Sequence, residues 1–504
     1  MSRKKQTYQL IKGLSQGEKR FFTLYMSKYS KKKNNSIKKL CDIYDSNSEW
    51  NEQNIKKSLK KEKLDGFTSV LNNRLLDKLI TGLRIQSTDN IIDLSINRFV
   101  EEARILFQRE IFDLAIDKIR KAKNLAYSSE KYDKLLEICS VEKLILVRVV
   151  NNQQFREFCI KSSKEIDEII KRVVNKNSYR ELSDEMFYLY RKLGTSKNNE
   201  EKSQLKNLTN HPLLKNIKQA KSISAKSSFY FIYTIYYLSI QEKKKALKTI
   251  DKHLKIIEAN NQYFRNNLDQ CLAVLNNALF IHSENNDKIA LFETIDKIRK
   301  LQTIQKIENT YFNRLIFETT CSMELDYYIK NNELNAAKNL VPWIIQELKK
   351  YNKYGWSLDR FLTMAFGISL VYFYDNNIEE SHNWIDKILE YENKNSNVQV
   401  LSFAKILDLI LHYQRNNKSL LLYRSKSVKR YLNKNNTLHE IDLGLIKLLH
   451  QLSDNKNPKK YVPIFLNLFA RSENSYTKMY YLHYIKIEAL CTALENKRQL
   501  KINP

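Results

Sequence analysis

Some short motifs in the chain match parts of a serine acyl-enzyme site, in which a lysine activates a serine nucleophile. Ser36-x-x-Lys39 and Ser58-x-x-Lys61 have the spacing of the nucleophile motif, and a Ser-Asp-Asn tripeptide begins at Ser453. The Lys-Thr-Gly element that completes the set is missing from the sequence. Because the chain is rich in Ser, Lys and Asn, chance explains these short matches. We therefore predict no catalytic residue among them.

Metal and nucleotide sites require particular spacings of ligands or glycines, and the sequence contains none of these patterns. The eight histidines are scattered without metal-ligand spacing, and the G-x-G-x-x-G, Walker and H-E-x-x-H motifs are absent. Adjacent acidic residues such as Glu101 and Glu102 point about 100° apart on a helix and do not face each other. We predict that the protein is not an enzyme and has no cofactor-binding or metal-ligating residues.

Basic residues are concentrated near the N-terminus, where residues 1–85 contain 20 Lys and Arg against 8 Asp and Glu. Helical spacing places Lys56, Lys60 and Lys63 on one side of a helix, and Ile55 and Leu59 mark its buried side. This layout suits phosphate contacts, and a lysine run at residues 31–33 adds to the charge. The alternative is a solvated surface, because lysine gives affinity without base readout. The candidate phosphate contacts are Lys56, Lys60, Lys63, Arg74, Lys78 and Arg84.

Two features of the central chain are candidates for contacts with a protein partner. Asn276 and Asn277 lie within the apolar run LAVLNNALFI. Asparagine is a poor helix former, so a mid-helix pair suggests that its amides meet a partner such as a peptide backbone. Tyr233 and Tyr237 can line a groove on another apolar helix. The alternatives are a hydrogen bond to the neighbouring repeat for the asparagines and core packing for the tyrosines.

Glycine and proline are scarce, with 8 Gly and 5 Pro in 504 residues. Tight hairpins between strands and phosphate-binding loops both depend on these residues. The hydrophobic content of 42% is too high for a disordered chain. The composition therefore predicts an all-α fold with short polar turns.

Four Ile-Asp-Lys segments indicate an internal repeat with a period near 45 residues. They begin at Ile116, Ile250, Ile295 and Ile385. Asn-Asn pairs keep the same phase, and because asparagine favours turns, each pair is interpreted as the turn of a helical hairpin. These pairs begin at Asn151, Asn285, Asn331, Asn376 and Asn416. We expect about seven or eight hairpins between roughly residues 95 and 490, stacked so that neighbours bury each other's apolar side.

The first of these units resembles the tetratricopeptide repeat, in which small residues lie where two helices cross. The segment ARILFQREIFDLAIDKIRKA has Ala103, Leu106, Ala115, Ile119 and Ala122 at the matching offsets. The resemblance implies an α-solenoid of stacked helical hairpins. It is a divergent resemblance, because the period is near 45 instead of 34 and the Trp-Leu-Gly-Tyr signature is missing. A HEAT-like stack of similar period is the alternative.

The repeat pattern begins only after the first 90 residues. We predict a small basic helical module over residues 1–90 and a helical-repeat solenoid over residues 91–504, with an irregular break near 195–212. Ser15 and Glu18 have the spacing of a capping box at the start of a helix, and three further helices are expected before residue 85. This order of module and array resembles a group of bacterial proteins without an assigned activity, and the likeness concerns architecture only.

The cysteines and the apolar runs predict a cytoplasmic protein. The six cysteines stand far apart without a C-x-x-C pair, as is typical of buried residues in a reducing compartment. The longest apolar run, Phe229 to Ile240, is too short to span a bilayer. No signal-peptide pattern follows the basic residues at the start of the sequence.

Two functions fit a basic helical-repeat chain with a formal charge of +30. The first is a non-catalytic scaffold or adaptor that binds a protein or peptide on a solenoid surface. The alternative is a nucleic-acid-associated regulator that binds phosphates through residues 1–90.

Overall fold

In the computed structural model, every regular element of the described residues is a helix, which confirms the all-α prediction. The described residues are 2–28, 36–48, 50–88, 91–193, 199–304, 310–351, 357–392, 397–472, 478 and 480–495. The contacts divide the chain into two compact units, Met1–Asn313 and Arg314–Pro504. Within the described ranges, no helix combines the length and the apolar character needed to cross a bilayer.

The first unit begins with five helices around a small core of their own. These are α1 (Arg3–Gly13), α2 (Gln16–Lys28), α3 (Ser36–Ser46), α4 (Glu52–Lys61) and α5 (Thr68–Ser87). The predicted capping box begins α2, because the Ser15 N–H donates to a Glu18 carboxylate oxygen at 2.7 Å and the Glu18 N–H donates to Ser15 Oγ at 3.2 Å. Helices α3, α4 and α5 match the three further helices that the sequence predicts, whereas α1 lies outside them.

Small residues allow the next two helices to cross closely. Ala103 of α6 and Ala115 and Ala122 of α7 are completely buried, as the resemblance to a two-helix repeat implies. A third helix continues the packing with Leu135 and Ile138 in the same core. These helices are α6 (Ile92–Gln108), α7 (Phe112–Ser128) and α8 (Tyr132–Val149).

The regular period fails after α8, where one helix of 42 residues, α9 (Asn152–Leu193), takes the place of a hairpin. No Gly or Pro occurs between residues 152 and 193 to end this helix. Asn151 lies between α8 and α9 but caps α9, because its side chain accepts the Gln154 N–H at 2.9 Å. After α9 the chain forms α10 (Asn199–Thr209) and a one-turn 3₁₀ helix that begins at Pro212. Residues 194–198 lie outside the described residues.

Helix pairs follow one another in the rest of both units. The first unit continues with α11 (Ile223–Ser239), α12 (Lys243–Ala259), α13 (Asn261–Asn266), α14 (Leu268–Glu284) and α15 (Lys288–Ile304). The boundary between the units falls within α16 (Thr310–Lys330). The second unit continues with α17 (Leu334–Tyr351), α18 (Leu358–Tyr374), α19 (Ile378–Leu389), α20 (Val398–Gln414), α21 (Lys418–Lys434), α22 (Glu440–Ser453), α23 (Pro458–Arg471) and α24 (Ile487–Glu495). Succession of neighbouring helices confirms the solenoid arrangement.

One turn geometry joins the two helices of each pair. In the α18–α19 turn, Asn376 has φ 59°, and the Asn377 N–H donates to the Tyr372 carbonyl at 2.9 Å, which is the hydrogen bond of a Schellman motif. Seven helix pairs of the described chain have such a left-handed turn residue, and the α7–α8 and α21–α22 junctions have one as well, at Glu130 and Asn436. Asparagine supplies it in the later pairs, as the repeated Asn-Asn motif predicts. The turn residues are Glu110, Gln241, Asn286, Asn332, Asn376, Asn416 and Asn455.

The left-handed turn makes a prediction about Asn376. Alanine disfavours this conformation because its Cβ meets the following carbonyl oxygen, so Asn376→Ala lowers the free energy of unfolding by about 1 kcal/mol. Asn376→Gly removes that clash and keeps or slightly raises the stability. Thermal and urea denaturation of the two variants measure the difference. Equal midpoints for the alanine and glycine variants would contradict the assigned turn.

Candidate functional site

The asparagine pair lies in the middle of α14, on the side away from the core. Leu275 and Leu279 are buried on the core side of the helix, whereas Asn276 and Asn277 are half-buried. Neither side-chain amide forms a hydrogen bond within the described residues. The alternative of a hydrogen bond to a neighbouring repeat therefore finds no support in this part of the chain. Both amides keep their donors and acceptors for water or for a partner.

Two further side chains complete an exposed stripe along α14. Ala273 lies one turn before the amides and Phe280 one turn after them, and Phe280 keeps 41% of its surface exposed. Spacings of three, four and seven residues place these positions on one side of a helix. The α14 stripe, defined as Ala273, Asn276, Asn277 and Phe280, thus combines paired amides with an aromatic ring and a small residue.

The two candidate tyrosines lie on α11 and differ in what their hydroxyls contact. The Tyr233 hydroxyl donates to the Leu214 carbonyl at 2.7 Å, which ties α11 to the 3₁₀ turn at Pro212. Burial raises the pKa of this hydroxyl, with smaller contributions from neighbouring tyrosines. The Tyr237 ring lies 6.0 Å from that of Tyr233, and its hydroxyl forms no hydrogen bond within the described chain. Tyr233 therefore contributes to packing, which is the alternative that the sequence left open.

A carboxylate from another turn fixes the start of α11. Glu130, the left-handed residue between α7 and α8, is almost completely buried. Its two carboxylate oxygens accept the N–H groups of Ile223 and Ser224 at 2.6 and 3.0 Å. An anion is favourable at this position because the first N–H groups of a helix have no partner in the helix. This contact holds the helix that carries both tyrosines.

Two serine–histidine pairs place a hydroxyl next to an imidazole nitrogen, as a nucleophile and its base would be. Ser227 Oγ lies 2.7 Å from His253 Nε2, and Ser425 Oγ lies 2.8 Å from His450 Nε2. Burial lowers the pKa of His253 to about 3, which makes it a weak base at neutral pH. Its Nδ1 has no hydrogen-bond partner within the described residues, so no third group orients the ring. Both pairs link adjacent helices and act as polar bridges.

The basic candidates of the N-terminal module occupy different surroundings. The prediction that Lys63 continues the helix of Lys56 and Lys60 is wrong, because α4 ends at Lys61 and Lys63 has a left-handed φ of 56°. Ile55 and Leu59 are buried, as the helical spacing predicts. Lys56 is paired with Glu52 at 3.1 Å within α4, and Lys78 Nζ lies 6.0 Å from the centre of the Tyr25 ring. The other four candidates are exposed and form no ion pair within the described residues. They are Lys60, Lys63, Arg74 and Arg84. The lysines at residues 31–33 lie outside the described residues.

A cleft of about 390 Å³ opens among α1, α4 and α5. Its lining includes Arg3 and Lys4 at the start of α1, Lys56 and its ion-pair partner Glu52 of α4, Asn73 of α5 and the ring of Trp50. Cations beside an aromatic ring are the combination that single-stranded nucleic acids use for binding. The sequence pattern indicated Lys56 alone among these residues, because folding brings the start of α1 to α4.

A cluster that the sequence did not indicate lies in the second unit. His382 of α19 meets Asp408 and His412 of α20, and all three side chains are buried. Asp408 and His412 are four residues apart and share a helix face, which is a visible signal. His382 lies 26 residues before Asp408, so only the packing of α19 against α20 shows that it belongs to the cluster.

Comparisons with protein-family models, curated proteins and solved structures find no match for this chain. Its function has to be argued from the local chemistry of the α14 stripe, the basic cleft and the histidine–aspartate cluster.

The different hydroxyl contacts on α11 predict different effects of removing each hydroxyl. Tyr233→Phe leaves the Leu214 carbonyl without its donor and lowers the free energy of unfolding by about 1 kcal/mol. Tyr237→Phe, the matched control on the same helix, leaves the free energy of unfolding within about 0.5 kcal/mol of the wild type. Thermal unfolding of both variants measures the contrast. A Tyr237→Phe variant as destabilised as Tyr233→Phe would contradict the assigned hydrogen bond.

Proposed function

We propose that the chain is a non-catalytic interaction scaffold that binds an extended peptide segment of a protein partner on the α14 stripe. The observation that carries this proposal is the pair of half-buried carboxamides, Asn276 and Asn277, without hydrogen bonds in the described chain. A rigid stack of helices presents such a stripe without reorganising, which keeps the entropy loss of binding small.

The chemistry of the stripe favours a peptide ligand. Each carboxamide offers an acceptor oxygen and an N–H donor group, the same pair of functions that each residue of an extended backbone presents. Phe280 adds an exposed ring that a partner's apolar side chain can cover. Asparagine lowers helix propensity at mid-helix, so a binding role accounts for two of them in succession.

The same proposal includes the family relationship and the compartment. Small residues at the α6–α7 crossing and the recurring hairpins favour kinship with tetratricopeptide-type repeats over HEAT-type repeats. All six cysteines are free, which suits a reducing cytoplasm. The weak basicity of His253, whose Nδ1 has no partner within the described residues, favours a structural role for its contact with Ser227.

Site-specific photo-crosslinking in living cells tests the proposal. A photoreactive amino acid at Asn276 should crosslink to one or a few protein segments, whereas the same group at Lys248, exposed on the neighbouring α12, should not. Asn276→Ala/Asn277→Ala should then weaken binding of the captured peptide about tenfold or more, since two hydrogen bonds are lost.

The control for this experiment is Asn261→Ala, an exposed asparagine at the start of α13. It removes a carboxamide from the same unit outside the stripe and should leave peptide affinity unchanged. Equal crosslinking at positions 276 and 248, or an equal loss of affinity in Asn261→Ala, would refute the proposed binding surface.

A second function is favoured by the basic cleft of the N-terminal module. We propose it as a site for single-stranded nucleic acid, in which Arg3, Lys4 and Lys56 contact phosphates and Trp50 stacks on a base. Exposed cations without ion pairs in the described residues, such as Lys60 and Arg74, extend the positive surface beyond the cleft.

The salt dependence of oligonucleotide affinity tests this second function. Fluorescence anisotropy with a labelled single-stranded oligonucleotide should give an affinity that falls steeply as the salt concentration rises, because binding releases counterions. Lys60→Gln/Arg74→Gln should reduce the slope of log affinity against log salt by about 1 to 2. Lys248→Gln, which removes an exposed lysine outside the module, is the control. Binding that is independent of salt, or undetectable at low salt, would exclude this function.

A further inference from the structure

Two helices of the second unit bring an aspartate and two histidines together in the interior. Asp408 and His412 lie one turn apart on α20, with 1% and 3% of their surface exposed, and His382 reaches them from α19. One ligand atom from each of the three residues lies within 4.8 Å of the others. Polar groups buried to this extent normally have hydrogen-bond partners.

The atoms that face one another in this cluster have none. His382 Nε2, Asp408 Oδ1 and His412 Nε2 are buried without a hydrogen-bond partner within the described residues. Both nitrogens lie 3.5 Å from Asp408 Oδ1. Two ligand atoms on one tetrahedral zinc ion are about 3.3 Å apart, because each bond is about 2.0–2.1 Å long. The observed separations therefore match shared coordination better than direct hydrogen bonding.

Neighbouring side chains hold the ligand atoms of His382 and Asp408 in place. His382 Nδ1 lies 3.1 Å from a carboxylate oxygen of Asp386, which fixes the tautomer that leaves Nε2 free to bind a metal. Arg424 Nη1 donates to Asp408 Oδ2 at 2.9 Å, so Oδ1 remains as the inward oxygen. Outer carboxylates of this kind are a regular part of histidine metal sites.

A second cluster in the first unit provides a contrast. Cys139, Glu142 and Glu165 also lie close enough to share an ion. Lys123 Nζ, however, donates to both carboxylates at 2.7 and 2.8 Å. A lysine ammonium therefore already supplies the cation there, whereas in the histidine–aspartate cluster Arg424 contacts only the outer oxygen, Oδ2, of Asp408.

We propose that His382, Asp408 and His412 bind a divalent transition-metal ion of the zinc type. Two imidazoles and a carboxylate are nitrogen and oxygen donors that zinc prefers, and they leave a fourth position of the tetrahedron for water or another ligand. Calcium and magnesium require more oxygen donors than this cluster has. Since the ligands come from α19 and α20, the ion clamps two successive hairpins together.

Metal titration of the full chain after removal of bound metal with EDTA tests the proposal. Zinc should bind at one site that requires His382, Asp408 and His412. It should also raise the thermal midpoint of unfolding, because it binds the folded state alone. Cobalt(II) at the same site should give the visible absorption of tetrahedral coordination. Magnesium and calcium should give neither effect.

Three variants separate this site from adventitious binding. His382→Gln should abolish zinc binding at this site. Asp386→Asn changes a residue outside the coordination sphere, where it disturbs packing less, and it should weaken zinc binding roughly 10- to 100-fold. His450→Gln removes the half-buried partner of Ser425 in the same unit and should leave zinc affinity unchanged.

Circular dichroism of each metal-free variant establishes whether it folds. If His382→Gln does not fold, the zinc affinity of Asp386→Asn still decides the test. Loss of zinc affinity in His382→Gln and Asp386→Asn but not in His450→Gln supports the site. Wild-type protein that binds no zinc at micromolar concentration overturns it. So does zinc affinity that is unchanged in Asp386→Asn, or lowered equally in His450→Gln.

Discussion

The constraint on which the described structure depends is that each helical hairpin has an apolar side that only the next hairpin can cover. Helix α18 shows the consequence most clearly, because residues 364–371 are all buried. Gly367 allows this packing, since a Cβ at this position would lie only 2.8 Å from Leu325 Cδ2 of α16. Burial of apolar surface stabilises such a stack. The stability of each hairpin therefore depends on its interfaces with the hairpins next to it.

The same packing determines which polar groups can act as sites. In the interior of the second unit, the Ser369 and Ser381 hydroxyls form a hydrogen bond of 3.0 Å that links α18 to α19. Asp408 accepts a hydrogen bond from Arg424 on Oδ2, whereas its Oδ1 has no hydrogen-bond partner within the described residues and faces two histidines. On the surface, the amides of Asn276 and Asn277 face away from the core, because the buried Leu275 and Leu279 fix the rotation of α14 about its axis. Fixed helices thus create both the proposed metal site and the proposed peptide site.

The sequence predicted what depends on local residue types and missed what depends on packing. Asparagine turns such as Asn376 were predictable because asparagine tolerates left-handed backbone, whereas Gln241 adopts the same conformation without any such signal. The position of Asn276 on a helix was predictable, but its lack of a hydrogen bond was not. His382 and Asp408 belong to different helices, so their proximity follows from tertiary contacts and not from spacing.

Hydrogen exchange followed by mass spectrometry tests the central claim, that stability is shared between neighbouring hairpins. Leu370→Ala empties a buried position in the core of the second unit, to which α18 and its neighbouring helices contribute. We predict faster exchange from α16 to α21, with α1 to α5 at wild-type protection. Faster exchange confined to α18, or an equal loss of protection in α1 to α5, would contradict this account.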